Sequence, residues 1–68
     1  MKLVSFQPGK AHVELTREDL LALSNALNEV CNALDLWDFE TRMGCSRESV
    51  QELLKEVSSA YEQVSAPE

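Results

Sequence analysis

His12, Cys31 and Cys45 carry the most reactive side chains in this chain. One imidazole and two thiols could ligate zinc, or pair as a nucleophile and its base. Their spacing supports neither chemistry. There is no Cys-x-x-Cys or His-x-x-His pattern, and Cys31 lies inside an apolar helical repeat, where a thiol acts as a small hydrophobe. Asp35, Asp38 and Glu40 cluster in sequence but lack the glycine-centred spacing of a calcium loop. Asp38 reads as a helix cap, and the other two as surface. The two cysteines allow one pairing, and spacing does not show whether their Cβ vectors meet. The expectation is a pair of free thiols, Cys31 partly buried and Cys45 the more exposed. No catalytic residue, metal site or cofactor is expected, so the chain reads as something other than an enzyme.

Any such groups would have to be positioned by a small scaffold. Sixty-eight residues make at most one domain, expected over residues 1–64 with a tail at 65–68. A chain this short buries little of its surface, and the usual helpers are disulfides, a metal or a second copy. The 44% hydrophobic content suits a folded protein. With no covalent staple evident, a homodimer is the expected helper, formed by the open hairpin edge or by the face that carries Asn25, Asn28 and Asn32. Met1 to Phe6 has no long apolar segment of the signal-peptide kind, and no run is long enough to cross a bilayer, so a cytoplasmic setting is expected.

Net charge is −6 and unevenly placed. Residues 1–15 carry Lys2, Lys10 and Glu14, a net +1, and residues 16–68 carry a net −7. That surface repels nucleic-acid phosphates and anionic membranes and would attract a basic protein.

The fold class that emerges is α+β and mostly helical: an N-terminal β-hairpin packed on two main helices, with a short helix between them. Residues 2–16 read as the hairpin. Val4 and Phe6 alternate with polar residues, as do Ala11, Val13 and Leu15 across Gln7-Pro8-Gly9-Lys10. Pro8-Gly9 fits a type II turn; because that turn is unfavoured in two-residue hairpins, a slightly longer loop is expected. A lone hairpin is marginal in water, so it is expected to lie on the first helix through Leu20, Leu23 and Leu27. That helix, 17–35, opens with a Thr16 cap and repeats Leu20, Leu23, Leu27, Val30 and Leu34 along one stripe. A short helix is expected at 38–43, ended by Gly44, with Leu36, Trp37 and Phe39 thickening the core. Ser46 caps the last helix, 47–64, whose stripe is Val50, Leu54, Val57, Tyr61 and Val64.

Phe39-Glu40-Thr41-Arg42-Met43-Gly44-Cys45-Ser46-Arg47-Glu48-Ser49-Val50 resembles the helix-turn-helix family over about a quarter of the chain. A short helix, a glycine-bearing turn and a capped second helix follow one another, and Phe39, Met43, Gly44, Val50 and Leu53 match that family's spacing. Glu40 departs from it, standing where a small alanine usually lets the helices pack closely. The resemblance implies that Ser46, Arg47, Glu48, Ser49 and Glu52 would face a major groove. Only Arg47 there reads guanine well, and the glutamates oppose phosphates. A structural turn is the expectation, with nucleic acid not the partner; a helix-turn-helix transcriptional regulator is the alternative.

Ala26 to Asn32, followed by Asp38 to Arg42 and a glycine, resembles a group of small uncharacterised bacterial proteins. Some small acidic bacterial proteins of this size act as immunity proteins or antitoxins. The resemblance implies protein binding and assigns no residue.

Asn25, Asn28, Asn32 and Asp35 recur at helical spacing, roughly 140° around the helix from the leucine stripe at 100° per residue, with Leu21 among them. Asparagine costs about half a kcal/mol in mid-helix against alanine. These five residues are the expected partner-binding surface: amides that donate and accept, a carboxylate, and Leu21 as the anchor.

Overall fold

The computed structural model describes residues 1–33 and 36–67; the side chains of Leu36 and Trp37 also fall outside the description. Strands β1 (Lys2–Gln7) and β2 (Lys10–Glu14) form an antiparallel hairpin, followed by α1 (Arg17–Ala33), α2 (Leu36–Met43) and α3 (Arg47–Ser65). The architecture is α+β and mostly helical. The expected roles of Leu34 and Asp35, and of the Leu36 and Trp37 side chains, lie outside the described residues.

Local chemistry explains the element boundaries. Thr16 Oγ1 accepts from the Asp19 amide and the Asp19 carboxylate accepts from the Thr16 amide, both at 3.1 Å, a reciprocal cap that opens α1. At α3, Ser46 Oγ accepts from the Ser49 amide at 3.1 Å. Gly44, at φ +76°, ends α2 by donating its amide to the Glu40 carbonyl at 2.8 Å. Asp38 is not a cap. α2 begins two residues earlier, and Asp38 sits in its first turn, paired with Arg42 at 2.6 Å.

α1 and α3 pack antiparallel. The Ser24 and Ser58 hydroxyls meet at 3.0 Å, and Arg17 lies over the Tyr61 ring near the other end. The core is Cys31, Phe39 and Val50, with Leu27, Val30 and Met43 against it. Phe39 is fully buried and joins the three helices. Val64, expected in the α3 stripe, is exposed instead, beyond the reach of α1.

The hairpin departs most from expectation. Its loop is the two residues Pro8-Gly9, with Gly9 at φ +83° and Gln7 facing Lys10, so the longer loop is absent. More consequentially, the first helix does not lie across it. Neither strand packs on a helix among the described residues, and every residue of both strands is exposed. Leu20 and Leu27 turn toward α3 and the core instead, where they can be buried by a full-length helix; Leu23 alone of the three stays on the hairpin side, 40% exposed. The hairpin is an arm, and it stretches the molecule to 42 × 32 × 15 Å with a radius of gyration of 13.6 Å. A compact chain of this length has a radius near ~11 Å.

Candidate functional site

α1 presents three faces, and helix geometry says which side chains each receives. Setting Leu20 at 0° and adding roughly 100° per residue, Leu20, Leu27 and Cys31 point to the core, Leu21, Asn25, Asn28 and Asn32 centre near roughly 110°, and Ala22, Leu23 and Ala26 near roughly 250°. Leu20 and Cys31 are buried and Leu27 half-buried, whereas Leu21, Asn25, Asn28 and Asn32 are all exposed.

The structure therefore brings together four of the five expected binding residues on a single outward ridge; Asp35 lies outside the described residues. The ridge runs about 16 Å at 1.5 Å per residue. Leu21 is 42% exposed. None of the three asparagine amides hydrogen-bonds to another side chain among the described residues, so their donors and acceptors face outward. Glu18 and Glu29 are exposed beside them and make the neighbourhood acidic.

The helix-turn-helix-like segment is arranged differently from what its resemblance implies. A guanidinium nitrogen of Arg47 donates to the Cys31 carbonyl, and the guanidinium lies 6.0 Å from the centre of the Phe39 ring. The reason is structural. Cys31 is in the last turn of α1, at the negative end of the helix dipole, and α1 has no basic residue of its own there. Arg47 comes from α3 to answer that negative helix end. The side chain that could read guanine is thus turned inward and half-buried, while Glu48, Ser49 and Glu52 remain exposed. Glu40, in place of the family's alanine, is exposed and lines a shallow pocket of about 220 Å³ with Ser46, Arg47 and Glu48.

Both thiols are free, Cys31 buried and Cys45 exposed. Among the described residues no three acidic, histidine or cysteine side chains group together as metal ligands. No helix of the described residues is long and apolar enough to cross a membrane. The N-terminal ammonium, 2.7 Å from Asp19, holds that carboxyl below its ordinary range, and the Thr16 amide adds to the effect.

No family model, curated protein or solved structure matches the chain.

A second surface differs from expectation, because the apolar side of the hairpin is uncovered and differently composed. Phe6 pairs with Ala11 and Leu3 with Val13, because a β-bulge leaves Val4 as the extra residue. Strict alternation had put Val4 on the apolar face; the bulge puts Leu3 there. Opposed residues share a face. One side of the arm is therefore Leu3, Phe6, Ala11 and Val13, and the other is Lys2, Ser5, Gln7, Lys10, His12 and Glu14. At the root of the arm an open groove of about 340 Å³ is lined by Met1, Leu15, Asp19, Ala22, Leu23 and Ala26. The one available signal was the triple Ala11, Val13, Leu15, whose apolar side runs unbroken into the groove.

Proposed function

We propose that this chain is a non-enzymatic, acidic protein-binding module of the immunity or antitoxin kind, which neutralises a basic partner by covering it. The observation that carries the reading is the ridge on α1. Leu21, Asn25, Asn28 and Asn32 stand outward in one line, with amides that have no side-chain partner among the described residues. Each asparagine lowers helix stability by about half a kcal/mol against alanine, and a face kept only for solubility is better filled by Glu, Lys or Gln. The net charge of −6 sets the sign of the partner. A cytoplasmic setting is part of the reading, supported by two free thiols.

Asn28→Lys tests it. The substitution replaces a central amide by a long cation that a basic surface repels, and it leaves the helix propensity intact. Native lysate is passed over the immobilised parent and over the variant at equal loading. The parent is expected to retain a basic protein that the variant loses, with the far-ultraviolet circular dichroism of the two unchanged. Retention of the same proteins by both would refute the role of the ridge.

A helix-turn-helix regulator is the second reading. The specific feature in its favour is the succession of α2, the left-handed Gly44 and the Ser46-capped α3. The inward Arg47 and the outward Glu48 and Glu52 weigh against it. A regulator would shift generic duplex at low ionic strength and lose affinity steeply as salt rises; no shift under those conditions removes it.

A further inference from the structure

We propose that a second copy of this chain covers the apolar side of the hairpin, each arm lying in the other copy's groove along α1. The arm cannot remain as it stands. Two strands alone are marginal in water, and Leu3, Phe6 and Val13 are 54%, 77% and 43% exposed on the same face. Met1 and Leu15 join that face to the groove, so arm and groove form a single apolar surface with a corner at the start of α1.

Three observations select a second copy as the occupant. The first is shape. The chain carries both halves of the contact, an apolar arm and an apolar channel floored by Ala22 and Ala26, small enough for a sheet to come close. A two-fold axis lets each copy give its arm and receive the other's, which closes the assembly at two chains. The second is charge. The arm segment, residues 1–15, is net +1 and residues 16–68 are net −7, so arm on body joins opposite signs, whereas arm on arm joins like signs. The third is area. Met1, Leu3, Phe6, Val13 and Leu23 expose on the order of 550 Å² per chain. Reciprocal burial thus removes on the order of 1,100 Å² in total, above the roughly 1,000 Å² that a specific interface should clear. The groove lies roughly 170° around α1 from Asn28, so the dimer leaves the asparagine ridge free, and the two proposals fail independently.

The test uses the full chain in light scattering after size exclusion, over a wide concentration range, with circular dichroism to verify helix content. The parent is expected at twice the chain mass of 7.6 kDa. Phe6→Lys alone and Leu23→Glu alone each damage both reciprocal contacts and are expected to run as single chains, with dissociation constants raised at least 100-fold; neither residue belongs to the core of Cys31, Phe39 and Val50. Mixing the two variants is the decisive arm. In the mixed pair, one contact joins the new lysine to the new glutamate and the other joins two unaltered surfaces, so the two-chain mass returns. If the arms paired with each other instead, Leu23→Glu would stay dimeric and would not rescue Phe6→Lys. That outcome overturns the proposal. So does a single-chain mass for the parent at its highest concentration, whether the face is then found on a lipid vesicle or on a different protein.

Discussion

Replacing Arg47 by alanine removes the charged donor from the Cys31 carbonyl, the cation over Phe39, and part of the cover over a ring that is fully buried. A hydrogen bond from a charged group contributes about 1.5–3 kcal/mol, and a partly exposed cation–ring contact about 0.5–1 kcal/mol. The three overlap in one side chain, so the total is less than the sum, and we expect a loss of about 2–3 kcal/mol. Against the stability of a 68-residue chain, about 3–10 kcal/mol at the usual value per residue, that loss is large. It corresponds to a fall in Tm of roughly 10–20 °C for a domain this size. Urea unfolding of parent and variant, followed by circular dichroism, reads it directly. Protein concentration must be held equal, because association makes apparent stability concentration-dependent. Arg47→Lys keeps the charge without the planar fork and is expected to lose about half as much. A variant within about 0.5 kcal/mol of the parent would refute the tether between α1 and α3. If that variant also lost duplex binding at low salt, Arg47 would be an outward reader, and the helix-turn-helix reading would take precedence.

Gly44→Ala meets no atom within 4 Å, so its cost is conformational alone. Holding an L-residue at φ +76° is expected to lower stability by about 1–2 kcal/mol, measurable in the same urea titration, and Gly44→Asn should recover part of it. Asp19 gives a pH dependence of known sign. Its folded pKa lies below the ordinary carboxylate value, so its contribution to stability is present above about pH 4 and fades as pH falls through the folded value. The stability difference between parent and Asp19→Asn is therefore expected to close on acidification, and to shrink in high salt because the pair is exposed. An Asp19 carboxyl titrating at or above the ordinary value by nuclear magnetic resonance would contradict the contact.

Much of the chain was legible because its signals are local. A cap acts over three residues and a glycine over one. Thr16, Gly44 and Ser46 accordingly mark the boundaries they were expected to mark. The apolar periods of α1 and α3 place Cys31 and Val50 inward and the asparagines outward, because a helix of fixed pitch presents each residue at a known angle. The start of α2 was read two residues late, since Asp38 has the chemistry of a cap and equally that of an i,i+4 partner for Arg42. Nothing within three residues of Asp38 distinguishes the two.

By itself, then, the sequence determined the three helices, the caps at Thr16 and Ser46, the place of the hairpin turn, the acidic surface and the outward line of asparagines. Tertiary structure alone decided that Arg47 turns to the end of α1, that Val4 is bulged so that Leu3 joins Phe6, and that Leu20 and Leu27 leave the hairpin for α3. Those outcomes depend on which distant groups compete for the same face. A periodic stripe says that a side chain will be buried without saying against what, and here two long helices bury more apolar surface together than either does on a two-stranded arm.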